Sequence, residues 1–159
     1  MRDSRNEFEM PRLSLIVITK NEEAAIERCI RSVAAIADEV VVVDSGSTDR
    51  TVTIARGLGA KVMEPKDWPG YGPQKQRALD AATGDWVLSL DADEWIEADL
   101  VSEIESVLKG GGKTSAYRMP RRNRFCGRIV RHGGWWPDYV LRLFRRGRAR
   151  FSEDPVHER

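Results

Sequence analysis

With 159 residues, 41% hydrophobic and 32% charged, and a net charge of +1, the chain has the length and composition of one globular domain with its own core. No apolar run reaches the ~18 residues needed to cross a bilayer. Residues 1–12 also lack the apolar stretch of a secretory signal. Cys29 and Cys126 have no metal-ligand spacing, so a reducing cytoplasm is the simpler expectation.

The first two-thirds of the chain alternates strand-like and helix-like patterns. Residues 13–19 and 39–43 are largely apolar, and the four valines of the second run favour a strand buried on both faces. Between them, apolar residues recur at helical spacing, at Ile26, Cys29, Ile30 and Val33. The pattern then predicts a helix over 52–58, a strand over 60–63, a helix over 74–82, a strand over 86–90 and a helix over 100–108. This alternation predicts an α/β fold with a mostly parallel sheet.

Two segments depart from this alternation. Residues 65–73 contain too many prolines and glycines for regular structure and predict a loop. Residues 115–119 and 140–144 predict strands of a smaller antiparallel part. The segment 118–150 is rich in arginine, with Asp138 as its only acid. Such a segment favours an anionic partner: nucleic acid, phospholipid head groups or phosphorylated sugars.

The strand predicted over 86–90 runs into Asp91-Ala92-Asp93-Glu94. The carboxyl end of a buried strand is where ligands bind in α/β sheets. If the strand ran on, the side chains of Asp91 and Asp93 would leave the same face. Two carboxylates beside a phosphate suit Mg²⁺ or Mn²⁺. The alternative is an acid-rich turn leading into a helix.

Acidic residues follow three of the predicted strands. Glu22 follows the first, Asp44 the second and Asp91 a later one, and parallel strands bring such ends to one edge. Asp44 could then accept hydrogen bonds from a base or a ribose. Lys75, at the start of a helix, could reach a diphosphate. The alternative for Lys75, and for its neighbour Arg77, is a solvated helix face.

Three segments resemble the signatures of family 2 glycosyltransferases with the GT-A fold. They are residues 17–22 (Val-Ile-Thr-Lys-Asn-Glu), 42–49 (Val-Val-Asp-Ser-Gly-Ser-Thr-Asp) and 90–94 (Leu-Asp-Ala-Asp-Glu). Residues 135–138 (Trp-Trp-Pro-Asp) and 142–146 (Arg-Leu-Phe-Arg-Arg) resemble the subgroup that builds the inner core of lipopolysaccharide, of the β-1,4-glucosyltransferase type.

This resemblance implies an inverting, metal-dependent transfer of a hexose, with glucose favoured, to a lipopolysaccharide-core or other anionic glycolipid or saccharide acceptor. The expected donor is a nucleotide-diphospho-sugar, with UDP favoured, and the expected cofactor is Mg²⁺ or Mn²⁺. The expected location is the cytoplasm, with peripheral contact at the inner membrane face, and nucleic acid is not an expected partner. From the family, Glu22 and Asp44 would contact the nucleoside, and Asp91 and Asp93 would hold the metal and diphosphate. The full set of expected donor-binding residues is Thr19, Glu22, Asp44, Ser45, Lys75, Asp91, Ala92 and Arg142, and the expected metal ligands are Asp93, Asp91 and His157.

The change of pattern after the glycine run at 110–112 predicts a division of the chain. Residues 1–11 form an N-terminal tail, 12–112 the part that binds the nucleotide-sugar, and 113–159 the acceptor side of the same domain. The sequence stops just after Glu158 without a closing element, which favours a natural protein that continues, with a genuine end at this position as the alternative.

The carboxylate that takes the acceptor hydroxyl's proton is open among several residues. Glu158 lies at about the family's position and is favoured, with Glu153, Asp154 and Asp138 as the other candidates. A metal or phosphate contact by His157 competes with a structural role for that histidine.

Two other classes of protein fit less well. A sugar-phosphate nucleotidyltransferase needs a glycine-rich basic loop after the first strand, where this chain has residues 20–23 (Lys-Asn-Glu-Glu). An RNA- or membrane-binding module without catalysis would use the arginine-rich segment and its aromatic residues. That reading leaves the acidic strand ends unexplained, and their charge would repel nucleic acid.

Overall fold

The structure is a computed structural model that describes residues 10–110, 113–120, 124–125, 130–131 and 139–151. In chain order its elements are β1 (Leu13–Thr19), α1 (Ile26–Ser32), β2 (Glu39–Asp44), α2 (Thr51–Gly57), β3 (Lys61–Met63), α3 (Tyr71–Ala81), β4 (Trp86–Ser89), β5 (Trp95–Ile96), α4 (Ala98–Gly110), β6 (Ala116–Pro120), β7 (Arg124–Phe125), β8 (Val130–Arg131) and β9 (Tyr139–Arg145). No helix within these ranges is both long and apolar enough to cross a bilayer.

The strands form a seven-stranded sheet in the order β3-β2-β1-β4-β9-β6-β8, and β5 pairs separately with β7. Strands β3, β2, β1 and β4 are mutually parallel, whereas β9, β6 and β8 join the sheet in antiparallel fashion. The predicted α/β fold, with a parallel centre and a smaller antiparallel part, is confirmed. Because the antiparallel strands continue the same sheet, β9 lies directly beside β4.

The side chains of β1 alternate between the two faces of the sheet. Leu13, Leu15 and Val17 pack in one cluster with the apolar residues of α1 and α4. Ile16 packs on the other face, in a cluster with α3. Cys29 of α1 is fully buried in the first cluster, as its spacing predicts. Burying each large aliphatic side chain of β1 stabilises the fold by roughly 1.5–3 kcal/mol.

A buried polar network closes the amino-terminal edge of the sheet. The carboxylate of Glu39 accepts hydrogen bonds from Ser14 Oγ, from Lys61 Nζ at 2.6 Å and from the N–H of Thr83 at 2.9 Å. Ser14 Oγ in turn accepts one from the N–H of Gly84 at 2.9 Å. Burial raises the pKa of Glu39, but these donors outweigh burial and lower the pKa to about 2. An ionised carboxylate therefore ties together β1, β2, β3 and the turn before β4.

Two of the predicted boundaries that differ from the structure lie next to the strand ends. Helix α3 begins at Tyr71 rather than at Gln74, so the predicted loop ends earlier. Pro73 is compatible with this start, because N–H groups in the first turn of a helix have no intrahelical acceptor. Strand β4 ends at Ser89, so the aspartates that follow do not lie on a continued strand.

Candidate active site

The carboxyl ends of β1, β2 and β4 meet at one edge of the sheet. Thr19 and Asp44, the last residues of β1 and β2, are register partners. The N–H of Ser45 donates to the carbonyl of Thr19 at 2.9 Å. On the other side of β1, strand β4 leads into Asp91. The structure therefore brings the predicted strand-end residues to a common edge.

Asp44 is fully buried and holds the loop that follows β2. Its Oδ1 accepts hydrogen bonds from Thr19 Oγ1 at 2.8 Å and Ser47 Oγ at 2.5 Å. Its Oδ2 accepts the N–H groups of Gly46 at 3.0 Å and Ser47 at 2.8 Å. Gly46 has a φ of 91°, which glycine adopts at little cost. Both carboxylate oxygens are thus engaged within the protein, and the loop they shape carries the half-buried Ser45.

The loop after β1 is fixed to the loop after β2. Asn21 has a φ of 53°, and its Oδ1 accepts the N–H of Thr48 at 2.8 Å. The N–H of Asn21 donates to Ser47 Oγ at 2.7 Å, and the N–H of Glu22 donates to Thr51 Oγ1 at 2.8 Å. The sequence analysis does not predict this connection. Its one local signal is Asn21, because asparagine adopts positive φ more readily than most residues.

Residues 91–94 form a tight turn directly after β4. The N–H of Glu94 donates to the carbonyl of Asp91 at 3.0 Å. Within the turn Asp91 is half-buried, Ala92 is buried and Asp93 is exposed. The two aspartates therefore have different surroundings. The expectation that they share a strand face does not hold, because the backbone turns between them.

Asp91 lies between two cations. Lys75 Nζ is 3.2 Å from Asp91 Oδ1, and Arg142 Nη2 is 3.7 Å from Asp91 Oδ2. The side chains of Lys75 and Arg142 are 5% and 2% exposed, against 31% for Asp91. Charges shielded from water in this way interact more strongly than surface charges. One oxygen of Asp91 is thus held from α3 and the other from β9.

Glu94 completes this arrangement and is absent from the predicted site residues. Its Oε1 accepts the N–H of Asp91 at 2.7 Å, and its Oε2 accepts a hydrogen bond from Arg142 Nη2 at 2.9 Å. Arg142 Nη1 also donates to the carbonyl of Ser89 at 3.3 Å. Burial raises the pKa of Glu94, an effect that Arg142 opposes and that Asp91 and Asp93 reinforce. The sequence signal for Glu94 is its place in the Asp-Ala-Asp-Glu segment.

Negative charge accumulates at this edge. The pKa of Glu22 is raised by burial and by the neighbouring carboxylates of Asp93, Asp49 and Asp91. Glu22 therefore lies in the electrostatic field of the turn after β4, although it follows a different strand. Among the side chains that the structure describes, no group of three carboxylate, imidazole or thiol ligands could hold a metal ion by itself.

The first turns of α3 approach the same edge. Gln74 Nε2 donates to Ser45 Oγ at 2.9 Å, a contact that the sequence analysis misses. Arg77 donates to Gln74 Oε1 at 2.9 Å and pairs with Asp67 at 2.7 Å. Helix α3 therefore presents Gln74 and Lys75 to the strand ends, while Arg77 is engaged by its own helix and the preceding loop.

The predicted proton acceptors and the third predicted metal ligand lie outside the described part of the chain. These residues are Asp138, Glu153, Asp154, His157 and Glu158. The described chain ends at Phe151, whose N–H donates to Gln76 Oε1 at 2.9 Å. The ring of Phe151 lies 5.8 Å from Lys75 Nζ. The chain therefore passes beside Lys75 just before residues 152–159, which include the C-terminal candidates for the proton acceptor.

Two known proteins show the extent of sequence similarity. A glycosyltransferase of Rickettsia bellii is 54% identical over 96 residues, which are 60% of this chain and 32% of that protein. The lipopolysaccharide core biosynthesis glycosyltransferase LpsC of Rhizobium meliloti is 36% identical over 158 residues, 92% of this chain and 56% of that protein. The chain thus spans between about a third and just over half of the length of these relatives.

A solved structure and a family model complete the comparison. Glucosyl-3-phosphoglycerate synthase of Mycobacterium tuberculosis, in complex with Mn²⁺, UDP and glucosyl-3-phosphoglycerate, is similar with a TM-score of 0.53 and 29% identity. The similarity covers 67% of this chain and 42% of that chain, and it confirms the predicted GT-A fold. The model described as glycosyl transferase family 2 matches residues 14–157. The match covers most of the sequence, and the chain belongs to glycosyl transferase family 2.

Proposed function

We propose that this chain is the donor-binding part of an inverting glycosyltransferase that moves a hexose, with glucose favoured, from a UDP-sugar. The observation that carries the proposal is the group formed by Lys75, Asp91 and Arg142 beside the exposed Asp93, at the carboxyl edge of a parallel sheet. Ligands of such sheets bind at this edge. The related synthase of M. tuberculosis, which was solved with UDP and a glucosyl product, supports the choice of donor.

The nucleoside occupies the part of the edge formed by β1 and β2 in this proposal. The proposed contacts are Thr19 at the end of β1, Glu22 in the loop after β1 and Ser45 in the loop after β2. Asp44 acts by shaping the loop, since its oxygens already accept four hydrogen bonds from Thr19, Gly46 and Ser47. Lys75 supplies positive charge for the diphosphate from the first turns of α3, where the helix dipole also favours an anion.

A divalent cation fits the oxygen ligands that are present. Asp93 is exposed and Asp91 is half-buried beside it. Burial raises the pKa of Glu22, and the carboxylates of Asp93, Asp49 and Asp91 add to that effect. Mg²⁺ is usually held by one or two carboxylates together with substrate phosphates, and such a site needs no third protein ligand within the described residues. When bound, the cation neutralises charge on the leaving nucleoside diphosphate. His157 remains the proposed additional ligand.

The transfer forms a bond between an acceptor oxygen and the anomeric carbon and breaks the bond from that carbon to the diphosphate. The acceptor hydroxyl gives its proton to a carboxylate, for which we propose Glu158, with Asp154 and Asp138 as alternatives. The position of Phe151 beside Lys75 supports the C-terminal candidates, because Glu158 follows it by only seven residues.

The acceptor in this proposal is an anionic glycolipid or saccharide of the lipopolysaccharide-core kind, met at the inner face of the cytoplasmic membrane. The arginine-rich segment 118–150 and the similarity to LpsC support it. Changing Arg121, Arg122 and Arg124 to Glu is expected to abolish sedimentation with vesicles that contain anionic lipid. Unchanged sedimentation would show that this segment does not receive the acceptor or the membrane.

Calorimetric titration of UDP, UDP-glucose and GDP in the presence of Mn²⁺ tests the donor assignment. We expect UDP and UDP-glucose to bind and GDP to bind far more weakly. Tight binding of GDP would overturn the assignment of the base. A folded protein that binds none of the three would overturn the proposed function. Salt-sensitive binding of single-stranded RNA by such a protein would then identify it as a basic binding module.

A further inference from the structure

We propose that Glu94 and Arg142 are positioning residues, which orient the carboxylates of the turn after β4 without touching the donor. This inference rests on the proposed function, since it concerns how the metal and diphosphate site is held. The side chains of Glu94 and Arg142 are 3% and 2% exposed. Both are engaged with the end of β4 and the turn that follows it, Glu94 through the N–H of Asp91 and Arg142 through Glu94 and the carbonyl of Ser89. The sequence analysis predicts Arg142 as a donor contact and does not include Glu94 among the site residues.

The two residues close a ring of hydrogen bonds and ion pairs through Asp91. Glu94 Oε1 accepts the backbone N–H of Asp91 at 2.7 Å, and Glu94 Oε2 is 2.9 Å from Arg142 Nη2. The same nitrogen is 3.7 Å from Asp91 Oδ2. We call these three residues the Glu94–Arg142 ring. Opening the turn would break the hydrogen bond from the Asp91 N–H to Glu94, and rotating the Asp91 carboxylate would move it away from Arg142.

The ring is anchored in regular structure on both sides. Arg142 lies on β9, whose next residue, Leu143, is the register partner of Leu88 in β4. Arg142 Nη1 also donates to the carbonyl of Ser89, the last residue of β4. The guanidinium therefore fixes the end of the strand and the first residue of the turn together. This rigid support is what a site needs when its ligands must be held within a fraction of an ångström.

Stability alone does not account for this arrangement. A buried ion pair is often no more stabilising than well-packed apolar side chains of similar volume. The chain contains a second buried glutamate, Glu39, at the opposite edge of the sheet, which ties strands together far from the turn. Glu39 is therefore a matched control. Both residues are buried carboxylates with a basic partner and a backbone N–H donor, but they lie at opposite ends of the strands.

The experiment compares Glu94→Gln with Glu39→Gln. A glutamine at position 94 keeps one carbonyl oxygen, which can accept from the N–H of Asp91 or from Arg142 but not from both. We expect Glu94→Gln to weaken binding of UDP in the presence of Mn²⁺ by about tenfold or more, the usual cost of losing an outer-shell partner of a metal site. We expect Glu39→Gln to lower the melting temperature while UDP affinity stays within about twofold of wild type.

A second variant keeps the test decisive if Glu94→Gln does not fold. Arg142→Lys retains the charge but cannot reach Glu94, Asp91 and Ser89 together, and it should weaken UDP binding in the same way. The double variant should lose little more than either single variant, because both act through one ring. A folded Glu94→Gln or Arg142→Lys protein with wild-type affinity for UDP and Mn²⁺ would overturn this inference alone. Absence of binding by the wild-type protein would instead overturn the proposed function.

Discussion

Lys75 Nζ lies 3.2 Å from Asp91 Oδ1, although the two residues belong to a helix and a turn that are separated by strand β4. The lysine side chain is 5% exposed, so its charge is largely removed from water. The contact joins α3, which packs on one face of the sheet, to the acidic turn at the carboxyl edge. The ammonium group of Lys75 can therefore neutralise Asp91 in the absence of a donor and can bind the diphosphate of a donor.

Replacing Lys75 by Met is expected to raise the Kd for UDP about tenfold, which corresponds to ~1.4 kcal/mol. The variant loses the proposed phosphate contact, and the negative charge of Asp91 is then balanced by Arg142 without Lys75. Calorimetry measures the change, and Lys109→Met, an exposed position at the end of α4, is the control. If a folded Lys75→Met protein binds UDP like the control, Lys75 has a structural role alone.

Asn21 should respond to substitution in a characteristic order. Asn21→Gly keeps the positive φ and loses the bond from the Thr48 N–H to the amide oxygen, whereas Asn21→Ala also pays ~1–2 kcal/mol for the left-handed backbone. Urea denaturation should therefore rank wild type above Gly and Gly above Ala in free energy of unfolding. An alanine variant as stable as the glycine variant would show that the backbone conformation at this position is not a constraint.

Glu39 should make the fold sensitive to acid. Its pKa is lowered from 4.5 to about 2 in the folded protein, so its stabilising effect is complete above pH 4.5 and is lost as the pH falls toward 2. Since one pKa unit corresponds to ~1.4 kcal/mol, the wild type should lose about 3 kcal/mol more over this range than Glu39→Gln. Chemical denaturation at several pH values measures the difference.

The exposed Glu27 provides the comparison for this experiment. Glu27→Gln removes one carboxylate that is 54% exposed and pairs with Arg31 on the surface of α1, outside the Glu39 network, so it controls for the loss of one negative charge. Identical acid dependence in wild type and Glu39→Gln would mean that the network at the amino-terminal edge does not hold an ionised carboxylate.

The sequence predicts the parallel half of this fold well, because strands that are buried on both faces appear in the sequence as continuous apolar runs. The valines of β2 and the apolar run of β1 are such runs. Because β1, β2 and β4 are parallel, their carboxyl ends lie at the same edge of the sheet, and this brings Asp44 and Asp91 to that edge. The errors at α3 and β4 are local. A glycine with positive φ precedes the helix, and a proline is tolerated in its first turn.

The support of the site could not be predicted in the same way. Arg142 reaches Glu94 because β9 inserts antiparallel beside β4, a pairing between residues about fifty positions apart that no local pattern records. The four hydrogen bonds to Asp44 likewise depend on how two loops fold against each other. Sequence patterns identify which residues reach the edge, whereas tertiary contacts decide which of them are free to meet a ligand.

The central claim is that the carboxylates after β4 hold a divalent cation together with the donor diphosphate. Calorimetric titration of UDP into the wild type, Asp93→Ala and the control Asp80→Ala, each with Mn²⁺ and again with EDTA, tests it most directly. Asp80 is an exposed acid near the end of α3 and should behave like wild type. We expect UDP binding that depends on Mn²⁺ and is lost in Asp93→Ala. Equal binding by all three proteins, with or without the metal, would contradict the account.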